Sequence, residues 1–322
     1  MHIYGPVPSR RLGYSLGVDI LPFKTCSLDC IYCQLGTTNK KKLRRKEYFD
    51  VETILAQIKS VIESERRIDT ITFSGSGEPT LNVQLGKLIQ KIKKITSIPV
   101  TVLTNSTLLS NKSVRDALSH ADLVVPSLDA VTQDIFERMN RPHPTLKVRQ
   151  VIEGLKKFRR EFNGKIWLEI LFVKGVNDSQ AHLKKLKKIV SEIDPDKIQL
   201  NTVARPPAEI SALPLSFQEL DGIRKFFGKK VEVVAEFKKT RLGPVSRHIK
   251  EAILAMVARR PVTVADMSRS LGKHKNELIK HCQILLEDGK IRLVIHEGQK
   301  FYELEQPKKP KRSLKEKNET HR

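Results

Sequence analysis

The chain has 322 residues and carries 59 Lys and Arg against 36 Asp and Glu, a formal charge of +23. Hydrophobic residues make up 39%, enough for one large domain and a small one, and no apolar run approaches the ~20 residues of a membrane helix. The charge balance favours polyanionic partners, RNA or DNA above all; the competing explanation is a basic surface of solvated lysines. The opening MHIYGPVPSRR has no apolar signal core, so a mature cytoplasmic protein is expected, with no membrane.

In chain order, a first strand is expected near residues 16–21. Cys26, Cys30 and Cys33 follow it with the spacing CxxxCxxC, and the chain has only 4 Cys. A basic run occupies residues 40–46. Asp50 reads as the N-cap of a helix with Ile54, Leu55, Ile58, Val61 and Ile62 on one face. Strands and helices then alternate: strand 69–74, a helix with Leu85, Leu88, Ile89 and Ile92, strand 100–103, a short helix, and strand 123–126. Helical segments run to Phe162, then come strand 166–173, helix 184–193, strand 197–203 and helix 217–227. About six β/α units imply a parallel sheet, too few for the full eight-stranded barrel. The expected class is α/β, a partial (β/α)6 barrel over residues 1–240, with chemistry at the C-terminal ends of its strands.

A second unit is expected over residues 246–305. Ile249, Ala252, Ile253 and Met256 mark one helix, Thr263 caps a second that stops at Gly272, and a third runs from Lys275 to Glu287. Strands 291–295 and 300–304 meet around Glu297 and Gly298. Three helices and a hairpin resemble a winged helix-turn-helix. Residues 306–322, rich in Lys and Pro, read as a disordered basic tail.

Three thiolates on one loop can hold three corners of a 4Fe–4S cubane, and the fourth iron then lacks a nearby protein ligand. Electron-transfer clusters take four cysteines, so an open corner suggests that a small molecule binds and reacts there. A structural zinc site closes with four ligands, but Cys282, His2 and His120 all lie far from this loop in sequence. A disulfide framework has too few cysteines. Cys282 shares a helix face with Leu278 and Leu285 and reads as a core residue.

CxxxCxxC with Tyr32 before the third cysteine resembles the radical S-adenosylmethionine (radical SAM) superfamily. The resemblance implies one 4Fe–4S cluster on Cys26, Cys30 and Cys33, with S-adenosylmethionine on the open corner and the Tyr32 backbone near its adenine. It implies reductive cleavage to a 5′-deoxyadenosyl radical that abstracts hydrogen from substrate, an electron donor such as flavodoxin or ferredoxin, and a barrel of the radical SAM type. The Gly75-Ser76-Gly77-Glu78 stretch resembles the superfamily's turn for the methionine amino group, and glycines there permit close backbone approach. A plain tight turn would use the same residues. Asn105, Ser127 and Asp129 end neighbouring strands, where the superfamily makes ribose contacts; Asn105 and Asp129 also suit helix caps. Residues 174–177 resemble its adenine-proximal turn.

Residues 5–36 look like the branch of the wyosine-forming tRNA enzymes, although this chain has none of their extra cysteines before Cys26. Three functions are open. The first is a radical enzyme acting on RNA, with Lys41, Arg44, Arg45 and Arg205 as candidates for substrate contact. Lys273, His274, Lys275 and Asn276 would then lead the third C-terminal helix toward phosphates. The second is a radical enzyme acting on a small molecule or protein, such as a glycyl-radical activase. The third is a non-enzymatic iron–sulfur sensor with a DNA-binding module, which the strand-end motifs oppose.

Overall fold

The computed structural model describes residues 2–9, 11–64, 67–234, 249–273 and 275–305. Eight strands form one sheet in sequential order: β1 (Ile3–Ser9), β2 (Gly13–Val18), β3 (Thr70–Phe73), β4 (Val100–Thr104), β5 (Leu123–Pro126), β6 (Lys165–Phe172), β7 (Lys197–Thr202) and β8 (Val231–Val233). β1 pairs antiparallel with β2, and every later neighbour is parallel. The connections are helical: α1 (Val51–Ser64), α2 (Leu85–Ile95), α3 (Lys112–Leu118), α4 (Gln133–Ile135) running into a π turn (Phe136–Asn140), α5 (Val148–Glu161), α6 (Gln180–Ile193) and α7 (Phe217–Phe227). The partial (β/α)6 barrel expected from the alternation is the architecture formed.

The alternation of side chains along each strand sorts two environments. Leu16, Ile71, Phe73, Val102, Leu168 and Leu200 face the helices and are buried. Against them lie apolar helix faces such as Val51, Ile54, Leu55 and Ile58 on α1. Each such side chain contributes about 1.5–3 kcal/mol on burial. The opposite strand faces carry polar groups that pair across the lumen. Ser15 donates to Thr72 at 2.7 Å, Arg11 meets Glu169 at 2.6 Å, and Asn201 donates to Glu169 at 3.1 Å.

The first parallel strand ends at Val18, earlier than the apolar run to Leu21 suggests, because Asp19 turns to accept from the Ser76 N–H and hydroxyl. β1 and β8 are not legible in the sequence: β1 contains two prolines, tolerable on an edge strand, and β8 is only three residues long.

The C-terminal elements are α8 (Ile249–Val257), α9 (Val264–Leu271), α10 (Lys275–Glu287) and the hairpin β9 (Ile291–His296) and β10 (Gln299–Leu304). Ile253, Met267, Leu278, Cys282 and Leu285 form a core of their own. Cys282 is fully buried against the Met267 sulfur, as a core residue should be. Thr263 caps α9 and Gly272, at φ +65°, ends it. The expected tail and His274 lie outside the described residues.

These elements bridge the open side of the barrel. α8 and α9 pack on β1, covering an edge strand. The Arg259 guanidinium stacks over the Tyr4 ring at 4.3 Å, and the His296 ring lies 3.1 Å from the Val203 carbonyl after β7. Arg205 donates to the Pro261 carbonyl at 2.6 Å and pairs with Asp266 at 3.6 Å.

Asp266 makes this junction pH-dependent. Burial pushes its carboxyl up, but the Arg205 and Arg260 cations, the Thr263 N–H and Arg269 bring it from an ordinary 3.8 down to about 2. A carboxyl lowered on folding contributes stability that is present above 3.8 and lost as pH falls toward 2, here about 2 kcal/mol. Urea unfolding of Asp266→Asn should therefore show a deficit of about 2 kcal/mol at neutral pH. That deficit should close as wild type is taken through 3.8 toward 2.

Candidate functional site

The three thiols sit on the loop that leaves β2. Lys42 N–H donates to the Cys26 carbonyl at 2.8 Å, Cys33 N–H to the Cys30 carbonyl at 3.0 Å, and Gly36 N–H to the Cys33 carbonyl at 3.1 Å. The loop is also held by the π turn, whose Asn140 and Met139 carbonyls accept from Asp29 and Ile31 N–H. π turns recur at functional sites.

Each thiol has an N–H donor of its own. Asn105 Nδ2 points at Cys26 Sγ at 3.4 Å, Asn140 Nδ2 at Cys30 Sγ at 3.4 Å, and Lys24 Nζ at Cys33 Sγ at 3.1 Å. Burial pushes the Cys26 thiol up to about 12, with the Glu78 carboxylate adding to it, and Cys30 is raised by burial and by its two cysteine neighbours. Among the described residues no three His, Cys, Asp or Glu side chains converge as a single metal ion would need. Lys24, Ser106 and Arg141, all beside this loop or its partners, have φ of +56°, +68° and +43°. Left-handed backbone in non-glycine residues costs energy and clusters at working sites.

The turn after β3 lies directly against the cysteine loop. Gly75 has φ +140°, and a Cβ there would lie 2.6 Å from Asp19 Cγ. A Cβ on Gly77 would lie 1.9 Å from the Thr25 carbonyl oxygen. Gly77→Ala should therefore drive this turn off the cysteine loop. The expected cost is about 3 kcal/mol in urea unfolding; an unchanged midpoint would show that the contact can relax.

The turn delivers Glu78, buried at 2% exposure. Its carboxylate accepts from Thr80 N–H and hydroxyl at 3.1 and 2.6 Å, Thr104 hydroxyl at 2.7 Å, and Asn105 N–H at 2.6 Å. Burial nonetheless raises its pKa. Glu78 and Asn105 are thus one unit, and the cap of α3 is Asn111, not Asn105.

Asp129 is likewise no helix cap. It accepts from the Tyr32 hydroxyl, from Asn140 Nδ2 at 2.9 Å and from Leu171 N–H at 2.9 Å. Burial raises its pKa against those hydrogen bonds. Ser127 is half-buried at the end of β5, its carbonyl accepting from Ser106 Oγ at 2.7 Å. Asn177 latches the turn after β6, donating to the Asp129 and Leu171 carbonyls and accepting from Val173 N–H.

The basic candidates separate. Arg45 braces the site loops, donating to the Thr80 carbonyl at 2.8 Å and Ser113 Oγ at 2.7 Å. Arg205 lines the cavity at the barrel mouth, as does Lys275 at the start of α10. Lys41 is half-buried and Arg44 exposed, and neither lines that cavity. The end of α10 expected to lead toward phosphates thus has Lys275 on the barrel side. Lys24 and Asn140 are site residues that sequence reasoning does not reach. Nothing in PFKT marks a left-handed Lys24, and Asn140 is 107 residues beyond Cys33 (140 − 33).

Residues 20–186 match the family model described as the radical SAM superfamily. A UPF0026 protein of Methanocaldococcus jannaschii is 31% identical over 306 residues, which cover 93% of this chain and 94% of that protein. The GTPase Obg of Brachyspira hyodysenteriae is 38% identical over 299 residues, 92% of this chain; the chain spans only 44% of that protein's length. Among solved structures, a radical SAM methyltransferase from Sphaerobacter thermophilus superposes with a TM-score of 0.51 at 18% identity, over 68% of this chain and 65% of its own, and shares the fold. No described helix is long and apolar enough to cross a membrane.

Proposed function

This chain belongs to the radical SAM superfamily and, within it, to the UPF0026 proteins; from that premise we propose that it is a radical SAM enzyme whose substrate is a nucleotide in RNA. Members of the superfamily bind a 4Fe–4S cluster and S-adenosylmethionine. The observation that carries the reading is the set of three thiols on one loop, each with its own N–H donor, at the C-terminal ends of the barrel strands. Such donors favour anionic sulfur and tune a cluster's potential.

Cys26, Cys30 and Cys33 would hold the cluster. When bound with S-adenosylmethionine, it supplies one-electron cleavage of the sulfonium and hydrogen abstraction from an unactivated carbon. The protein's task is positioning. Gly75 and Gly77 bring backbone close to the cysteine loop. Glu78 fixes Asn105 beside Cys26, and Asp129 fixes Tyr32 and Asn140 beside Cys30. Ser127 stands at a neighbouring strand end for the nucleoside. An acidic reductant such as flavodoxin or ferredoxin would suit the basic run at residues 40–46.

The RNA reading is supported by the +23 charge and by the cationic mouth of the barrel. Residues 5–36 support kinship with the wyosine-forming tRNA enzymes, with a single cluster here. We read residues 246–305 as a winged-helix domain joined to the barrel of residues 1–240. A protein substrate has one observation in its favour: Ile210, Leu213 and Phe217 stand exposed after β7, where Glu209 N–H bonds the Ile31 carbonyl of the cysteine loop.

The test is 5′-deoxyadenosine release by anaerobically reconstituted, reduced protein given S-adenosylmethionine with and without cellular RNA. Release that RNA stimulates is expected. Release indifferent to RNA would move the reading to a protein or small molecule, and none from a protein with a verified cluster would overturn it.

A further inference from the structure

We infer that the cavity between the barrel mouth and the C-terminal helices receives one nucleotide drawn out of an RNA strand, with Arg260 on its phosphate and the polar barrel lumen around its base. The inference rests on the RNA reading above and assigns it a place and a recognition chemistry.

The cavity holds 720 Å³, within the range of ligand sites. Its floor is polar: Ser15, Thr72, Ser74 and Asn201, with Leu103 beside them and Arg11 offset by its 2.6 Å pair with Glu169. Ser15 pairs with Thr72 at 2.7 Å and Ser74 with the Tyr4 hydroxyl at 2.8 Å. Each hydroxyl has two acceptor lone pairs, so these internal pairings leave capacity for a base edge. The roof is cationic. Arg205, Arg259, Arg260, Arg269, Lys275 and Lys300 line it, and Asp266 is the one acid among the cavity residues. A ligand matched to both ends is neutral and hydrogen-bonding at one and anionic at the other.

Three of the six roof cations are committed. Arg205 binds Asp266 and the Pro261 carbonyl, Arg269 binds Asp266 at 2.8 Å, and Arg259 lies over Tyr4 and 3.8 Å from Asp19. The Arg260 guanidinium is half-buried and acts on Asp266 through its charge alone, with no hydrogen bond or close ion pair among the described residues. Its N–H donors open to solvent on the cavity lining and are available to a phosphate. Lys275 and Lys300 are exposed at the rim and would take flanking phosphates.

The placement excludes an intact duplex. The floor lies inside the barrel, so a base reaching it must leave its stack, as with enzymes that act on extruded bases. The leading end of α10 faces this same cavity.

The test measures binding by the full-length reconstituted protein to a short single-stranded RNA, the same sequence as a duplex, and a free nucleoside monophosphate. A 2-aminopurine within the strand reports unstacking by fluorescence. The single strand should bind more tightly than either alternative, with brightening of the probe. Arg260→Ala should weaken strand binding about tenfold and lower the log–log salt slope by about 1, and Lys300→Ala should act in the same direction. Arg260→Lys should keep the slope while losing part of the affinity. Wild-type affinity and slope in Arg260→Ala, with matching thermal melts, would overturn the inference while leaving the RNA reading intact. Equal competition by the free monophosphate would also overturn it, in favour of a free nucleotide. No RNA binding by wild type would remove the RNA reading itself.

Discussion

Replacing Cys30 by alanine should leave a folded protein that neither retains iron nor releases 5′-deoxyadenosine. The thiol is half-buried, and its donor, Asn140 Nδ2, keeps Asp129 at 2.9 Å when the sulfur is gone. Folding therefore loses little, whereas a three-cysteine site loses a corner it cannot replace. Iron should fall far below the ~4 per chain of a full cluster, and cleavage should drop to background. Cys282→Ala is the internal comparison. That thiol is fully buried in the C-terminal core against Met267, so its loss should cost about 1 kcal/mol of stability and no iron. Iron analysis, visible absorption and urea unfolding of the two variants separate ligand from core. Equal iron in Cys30→Ala and wild type would refute the assignment.

The contrast between these cysteines is legible in the sequence because it rests on local spacing. CxxxCxxC places three thiols on one loop, while Leu278, Cys282 and Leu285 share one helix face. The six main parallel strands are legible for the same reason: each is a short apolar run bounded by turn residues. What sequence does not supply is the wiring between strand ends. Asn140 reaches Cys30 because a π turn after β5 bends back onto the cysteine loop, and Lys24 reaches Cys33 through a left-handed residue. Arg45 shows the opposite failure. In a run of six cations among residues 40–46 (Lys40, Lys41, Lys42, Arg44, Arg45 and Lys46) it reads as a free charge, yet it braces the Thr80 and Ser113 loops. Lys275 is a further case. Its position at the head of a recognition-like helix suggests an outward-facing phosphate contact, and only the docking of α8 and α9 on β1 turns it toward the barrel.

Asp129→Ala should be among the most destabilising single changes in the barrel, because one buried carboxylate satisfies three donors from three elements. The Tyr32 hydroxyl comes from the cysteine loop, Asn140 Nδ2 from the π turn and Leu171 N–H from β6. Alanine leaves all three facing a small void, and each unmet donor costs about 1–3 kcal/mol. Partial relaxation of Tyr32 toward solvent reduces the sum, so the expected loss is about 3–5 kcal/mol in urea unfolding. Asp129→Asn keeps the shape and one acceptor oxygen but turns an amide N–H₂ toward one of the donors, and should lose about 2 kcal/mol. The same change reaches the thiols. Asn140 is oriented by Asp129 and in turn donates to Cys30 Sγ at 3.4 Å. Freed of its partner, it would no longer hold that hydrogen bond, and supporting partners of metal ligands are worth about 10–100-fold in metal affinity. Iron should then be lost to a chelator faster from Asp129→Ala than from wild type under conditions where both are folded. A variant as stable as wild type would mean that the three donors find water once the carboxylate is gone.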